Sequence, residues 1–393
     1  MLVINKNIYF VLGAWNACIY NLNTRKLIQI KHNDIHAAQE LFLDPLRINN
    51  LSNLFKEEHI IVDKNIYDNT RSITLINTKL DTAWIEINTE CNFKCIHCYV
   101  SDKLHTPKHT NMSISDFKLA IDRVLEYGIK KIHIIGGEPL IHPYFMQCMK
   151  SSLHKFDFSV LFTNGYLLDK NIISQLKQLN ISQIDISLYS TIEEEYEKVT
   201  QVKGSFNRAM RAIEEVEKSG IICHIATIRI PGIDIGQPYV SKNYNHAVQH
   251  FDYVRASGRG SRLWRTASSK ELDIKSPTMN IANRKLDPQK VLYKMQYHNC
   301  FGRYIRINPD LNVYPCTMEQ RFLHGNIREN TLDQIVKENI RRFNKDYIEE
   351  CSVCEFRYIC SDCRADSFSN NICAKPWFCQ YDPISGKAMT SDI

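Results

Sequence analysis

Glu90-Cys91-Asn92-Phe93-Lys94-Cys95-Ile96-His97-Cys98-Tyr99 places three cysteines in one short loop. Three thiolates so spaced can hold three irons of a four-iron cluster and leave the fourth iron without a protein ligand. Clusters that only carry electrons normally have four protein ligands, so a missing one implies that another molecule binds there. An open metal position is a position for chemistry. The competing reading is structural zinc, which also uses short cysteine spacings but closes its shell with four ligands. The fourth would then have to be His97, turned back onto a metal held by its own neighbours.

Outward from this loop the chain alternates strand, loop and helix. Apolar strand candidates lie at residues 83–88, 131–136, 157–163, 183–188, 221–229 and 251–255. Between the first two, Phe117, Ala120, Ile121, Val124 and Leu125 recur at helical spacing, with Ser113 placed to cap the helix. A later helix opens at Gly204-Ser205 and turns Phe206, Ala209, Met210, Ile213 and Val216 to one face. Six strands alternating with helices predict an α/β fold with a parallel sheet and right-handed crossovers. In barrels of such units chemistry gathers at the carboxyl ends of the strands. The cysteine loop directly follows the first strand, and Gly136-Gly137-Glu138-Pro139 ends the second. Glycines let a backbone approach a ligand closely, and a carboxylate there can accept hydrogen bonds from an ammonium group.

The cysteine triad and the Gly-Gly-Glu-Pro stretch, one strand–helix unit apart, resemble the radical S-adenosylmethionine (SAM) superfamily. The resemblance runs from the triad to near the C-terminus. It implies a partial (β/α)6 barrel over residues 81–260 and a SAM-binding 4Fe–4S cluster on Cys91, Cys95 and Cys98. It also implies that Gly136, Gly137, Glu138 and Pro139 hold the SAM amino group. His97 and Tyr99 stand where the family places an aromatic near the adenine, and Ser187 where relatives contact the ribose. Thr163-Asn164-Gly165, Arg255 and the Gly258-Arg259-Gly260 turn are softer matches; Thr163 and Asn164 taken singly read as ordinary strand-end polar residues.

Residues 300–384 hold a second set of cysteines: Cys300, Cys316, Cys351, Cys354, Cys360, Cys363, Cys373 and Cys379. A zinc ribbon on Cys351, Cys354, Cys360 and Cys363 is one reading. Behind a radical SAM core the region resembles the SPASM extension, which implies two auxiliary 4Fe–4S clusters. By that resemblance Cys300, Cys316 and Cys363 bind the first, which has only three obvious ligands. Cys351, Cys354, Cys360 and Cys379 bind the second. Cys373 competes with Cys379 for the last place, but Lys375-Pro376-Trp377-Phe378-Cys379 and Tyr381-Asp382-Pro383 look more like the family ending. Leu311 stands where the family usually has Gly, and Cys360 and Cys363 are one residue closer than in formylglycine-forming members. Cys18, Cys148 and Cys223 have no partners in the sequence and read as buried thiols.

Residues 1–80 differ from the rest. Short strands are expected at residues 8–12, 17–22 and 26–30, a helix from an Asn33 cap through about Phe42, and a second helix at 50–58. This element order resembles the PqqD-type recognition elements, which bind a leader peptide as an added strand. An N-terminal cap on the catalytic domain is the equal alternative. Residues 261–299 read as a polar, irregular bridge and 385–393 as a loose tail. The 393 residues allow two or three domains. A net charge of +6 without a basic stripe gives no reason to expect nucleic acid. No stretch reaches the roughly 18 apolar residues of a membrane span, and Asn16 and Asn21 interrupt the apolar start. Fourteen cysteines in spaced groups suit metal clusters in a reducing cytosol, so a cytoplasmic location is expected.

The resemblance implies cleavage of SAM to methionine and a 5′-deoxyadenosyl radical, which removes hydrogen from an unactivated carbon. An electron then passes to an auxiliary cluster, for a net oxidation; a flavodoxin or ferredoxin would supply the first electron. The SPASM resemblance points to a peptide, with a precursor peptide cross-linked through a carbon–carbon, ether or thioether bond as the leading reading. Formylglycine-forming sulfatase activators are the alternative. They generally start close to the triad and carry Asp after the cysteine matching Cys316, where this chain has some 90 residues before the triad and Thr317. Residues Cys354-Glu355-Phe356-Arg357-Tyr358-Ile359-Cys360 also look like peptide-maturase members. A non-catalytic iron–sulfur relay or scaffold is the reading of another class; the open position and Glu138 argue against it. No general acid or base can be named, because His142, His298 and His324 lack a local constellation.

Overall fold

A computed structural model describes residues 1–76, 79–99, 111–241, 247–264, 285–367 and 371–388. The chain divides into two compact units: residues 1–78, 275–299 and 342–393 form one, residues 79–274 and 300–341 the other.

In the first unit, strands β1 (Leu2–Ile4), β2 (Ile8–Leu12), β3 (Ala17–Asn21) and β4 (Lys26–Ile30) precede helices α1 (Ile35–Leu43) and α2 (Ser52–Glu57). Strand β5 (Ile61–Asp63) and helix α3 (Lys64–Asn69) follow. β2, β3 and β4 form an antiparallel sheet in that order, and β1 pairs with β5. Every residue of β3 is buried because both of its faces are covered. With a period of two, Ala17 and Ile19 pack with Ala38, Leu41, Leu51, Phe55 and Ile60. Cys18 and Tyr20 join Leu286, Val291, Phe356, Ile359 and Tyr381 on the opposite side. The first helix starts later than the Asn33 cap expected: His32–Asp34 form a short 3-10 turn, and Asp34 sits at the cap. Its carboxylate accepts from Asn50 Nδ2 at 2.7 Å instead of capping the helix.

The second unit is built on β6 (Thr82–Glu86), β7 (Lys131–Ile135), β8 (Phe158–Thr163), β9 (Gln183–Ser187), β10 (Ile222–Arg229) and β11 (Ala247–Tyr253). All five pairings are parallel and join strands adjacent in sequence, the open α/β sheet expected of a partial (β/α)6 barrel. The sixth strand begins at Ala247, four residues before the expected 251. It is the sheet's outer strand, largely exposed, so it carries no continuous apolar run to mark it. Beyond β6 the sheet extends through β12 (Tyr304–Ile307), parallel, then β13 (Asn312–Tyr314) and β14 (Gly325–Asn326), antiparallel.

The helix at Ile114–Glu126 is capped as expected, Asp116 N donating to Ser113 Oγ at 3.0 Å, and buries Phe117, Ala120, Ile121 and Val124. The helix at Ser205–Ser219 buries Ala209, Ile213 and Val216, but Ala212 and Glu217 complete the stripe and Phe206 and Met210 are only half-buried at its margin. Of the expected bridge, residues 265–284 lie outside the described residues, as do 389–393 of the expected tail. Residues Pro288–Gln296 form a helix that periodicity alone did not mark. Its signal was local, Asp287 capping Gln289 N and Lys290 N with Pro288 in the first turn. Among the described residues no helix is long and apolar enough to cross a membrane.

Candidate active site

The paired ends of β6 and β7 set the site. The ladder runs on past the strands: Ile87 N donates to Ile135 O at 2.9 Å, Gly137 N to Asn88 O at 3.0 Å and Glu138 N to Glu90 O at 2.8 Å. The two glycines make this approach possible. A Cβ on Gly137 would lie 2.5 Å from the Glu90 carbonyl carbon and 2.8 Å from Thr89 O, and one on Gly136 would lie 2.9 Å from Asn88 O. Any side chain would drive apart the two segments that carry Cys91 and Glu138.

Glu138 is 1% exposed. Its carboxylate accepts from Thr163 Oγ1 at 2.7 Å, Asn164 N at 2.7 Å and Leu140 N at 3.1 Å. Burial pushes the carboxyl up to about 7, against these hydrogen bonds, which pull it down. All three donors are neutral, and a carboxylate offers about four acceptor positions. A buried carboxylate supplied only with neutral donors fits the ammonium of an amino-acid ligand. Thr163 and Asn164, unremarkable strand-end residues when read singly, are therefore brought together by the fold as the residues that orient Glu138.

The cysteine loop is fastened on two sides. Lys94 N and Ile96 N donate to Thr200 O and Val199 O at 3.2 and 3.0 Å. Opposite, the Gly258-Arg259-Gly260 turn lies against its backbone. Arg259 Nε donates to Cys95 O at 2.8 Å, and Arg259 N to Cys98 O at 2.9 Å. A Cβ on Gly258 would stand 2.7 Å from Tyr99 O. Asn164 also reaches the loop, Nδ2 donating to Asn92 Oδ1 at 2.8 Å. Burial pushes the Cys95 thiol up to about 12, so this sulfur stays neutral until a cation draws the proton off.

His97 packs edge-on against Tyr189, ring centroids 4.5 Å apart, and its Nδ1 is a buried polar atom without a partner. Tyr189 in turn stacks on Tyr196, ring centroids 5.7 Å apart, a contact that sequence spacing did not reveal. Tyr99 lies near Cys98 and Cys316 and beside a buried ion pair, in which Arg306 Nη2 donates to Glu86 at 2.7 Å. An orphaned His97 nitrogen, an unneutralised Glu138 and three loop thiols suit a 4Fe–4S cluster with SAM.

Cys300 and Cys316 both belong to the barrel unit, and the neighbouring Cys300 thiol lowers the Cys316 thiol below its ordinary value. Cys363 belongs to the other unit. There, Cys351, Cys354, Cys360 and Cys379 line one cavity with Lys345, Glu350, Arg357 and Lys375. Cys373 is not among its lining residues. The four thiols surround one space. Three basic residues against one acidic residue suit an anionic cluster of four thiolates. Cys18, Cys148 and Cys223 are fully buried in the cores.

The radical SAM superfamily model matches residues 85–237, and the SPASM model, an iron–sulfur cluster-binding domain, residues 300–364. Among curated relatives, the AdoMet-dependent heme synthase of Methanosarcina barkeri (strain Fusaro / DSM 804) is 23% identical over 333 residues, 76% of this chain and 94% of that protein. The GTP 3',8-cyclase of Aliarcobacter butzleri (strain RM4018) is 30% identical over 159 residues, 39% of this chain; the chain spans 48% of that relative's length. Among solved structures, Streptococcus suis SuiB bound to precursor peptide SuiA matches with a TM-score of 0.53 at 13% identity, covering 93% of this chain and 96% of SuiB. anSMEcpe with bound AdoMet matches with a TM-score of 0.56 at 16% identity, covering 76% and 94%. At these identities the structural likeness is one of fold. The chain thus carries a radical SAM domain over residues 85–237 and a SPASM domain over residues 300–364, whose cofactors are a 4Fe–4S cluster with SAM and auxiliary iron–sulfur clusters.

Proposed function

We propose that this chain oxidises a ribosomally synthesised precursor peptide and closes an intramolecular cross-link in it, through a carbon–carbon, ether or thioether bond. The supporting observation is the extent of the likeness to SuiB. A match over 93% of the chain must take in much of the segment before the cysteine loop, and SuiB binds a precursor peptide. The match to anSMEcpe covers only 76%. The antiparallel sheet β2–β3–β4 with the helices after it supports a leader-binding role for residues 1–80, since an outer strand can accept an added peptide strand.

In this reading Cys91, Cys95 and Cys98 hold a cluster with one open position. Glu138, seated by Gly136, Gly137 and Pro139 and oriented by Thr163 and Asn164, binds the SAM amino group. His97, Tyr99 and Ser187 line the nucleoside. Cys300, Cys316 and Cys363 hold the first auxiliary cluster, and Cys351, Cys354, Cys360 and Cys379 the second. With cofactors bound, reductive cleavage of SAM supplies the 5′-deoxyadenosyl radical that takes a hydrogen atom from the peptide. A flavodoxin or ferredoxin is the proposed electron donor. The test is tandem mass spectrometry of the small peptides encoded beside this gene, each coexpressed with it. Loss of two hydrogens, with fragmentation silent across a short ring, is the expected result. Unmodified peptides alongside accumulating 5′-deoxyadenosine would remove the peptide reading, and sulfatase sequences would be the next substrates.

A further inference from the structure

Lys345 is 2% exposed, a rare state for a lysine, which is almost never fully buried unless paired. It sits in the short 3-10 turn Lys345–Tyr347, where Asn344 caps Asp346 N. Its ammonium has two partners, the Asp362 carboxylate and the Cys360 thiol, whose sulfur is 3.8 Å from Nζ. Asp362 is not Lys345's alone. The same oxygen accepts from His298 Nε2 at 2.8 Å, and its other oxygen pairs with Arg364. One carboxylate thus serves two buried cations, so Lys345 is incompletely neutralised on the side that faces the cavity.

We propose that Lys345 is a positioning residue that raises the reduction potential of the iron–sulfur group held by Cys351, Cys354, Cys360 and Cys379. The inference rests on the reading of those four cysteines as ligands. Potentials of such groups depend on net charge and on hydrogen bonds to the sulfurs, and Lys345 supplies both at Cys360. A fixed positive charge favours the more negative, reduced state. Asp362 acts oppositely, by screening Lys345 and Arg364. The two residues therefore carry opposite signs, which a general loosening of the site would not produce.

The test uses the full chain with Cys91, Cys95 and Cys98 replaced by Ala, so that only auxiliary signals remain. Iron content and midpoint potentials are read by redox titration followed by electron paramagnetic resonance. K345M should lower one midpoint so that the oxidised-to-reduced ratio at fixed potential rises at least tenfold, a shift of about 59 mV for a one-electron couple. D362N should raise the same midpoint, and K345R should keep it near the starting value. Midpoints unchanged in both K345M and D362N, with iron retained, would overturn the inference. If K345M loses its iron, D362N decides: an upward shift supports the role, and an unchanged or lower midpoint refutes it. A parent protein that binds no auxiliary iron would instead refute the ligand reading.

Discussion

Gly137→Ala puts the largest strain on the smallest change. The added Cβ would lie 2.5 Å from the Glu90 carbonyl carbon and 2.8 Å from Thr89 O. Unstrained carbon contacts lie near 3.5–4.0 Å, so the β6 and β7 extensions must part by about 1 Å. That parting breaks Gly137 N to Asn88 O and Glu138 N to Glu90 O, each contributing about 1 kcal/mol. Overpacking adds about 1–3 kcal/mol, for a total of roughly 3–5 kcal/mol against the folded site. If the backbone relaxes to avoid that cost, Glu138 and Cys91 move apart instead. Misplacement of about 1 Å can lower a rate about 100-fold. The assay pairs thermal unfolding of the reconstituted protein with 5′-deoxyadenosine formation under dithionite. Gly128→Ala is the control: Gly128 has φ of 91° but nothing within 4 Å of the added carbon, so it should cost about 1–2 kcal/mol of backbone strain and leave SAM cleavage intact. G137A with unfolding and cleavage both equal to the parent would refute the packing argument.

Thr163→Val removes a 2.7 Å donor from a buried carboxylate; it should weaken SAM binding about tenfold or more, the equivalent of about 1.5–3 kcal/mol, and T163S should restore it in equilibrium dialysis. Arg259→Met removes the Nε contact to Cys95 O and should lower iron at the Cys91–Cys98 loop while auxiliary iron, measured in the same samples, is retained. His324 should make stability fall in acid. Burial holds its folded pKa down at about 4 against 6.5 unfolded, so the unfolded chain binds the proton first. Stability is fully present above about pH 6.5 and falls towards pH 4 by up to roughly 3 kcal/mol, a slope that His324→Asn should flatten in urea titrations.

The barrel and its cluster loop were legible because their signals are local. β6 to β10 are buried apolar runs, and the Cys91, Cys95 and Cys98 spacing needs no partner from elsewhere in the chain. Ser113 announced its helix for the same reason. β11 was displaced in the sequence reading because an outer strand need not be apolar. Thr163 and Asn164 gained meaning only when the fold brought them to Glu138. Lys345 and Asp362, seventeen positions apart in a region without periodicity, gave no sequence sign of their pairing. Residues 1–80 differ from the rest in sequence, yet Val11, Tyr20 and Leu27 share a core with Phe356, Ile359 and Tyr381. A leader-binding test should therefore substitute exposed positions in the full chain, since excising the segment would open that core.

The most direct measurement follows hydrogen from substrate to product. A peptide encoded beside this gene, deuterated at carbon, is incubated with the reconstituted protein, SAM and dithionite, and both products are analysed by mass spectrometry. The account predicts deuterium in the 5′-deoxyadenosine and a peptide that has lost one deuterium and one further hydrogen, both abolished when Cys91, Cys95 and Cys98 are changed to Ala. Unlabelled 5′-deoxyadenosine beside an intact peptide, for every such peptide, would contradict it.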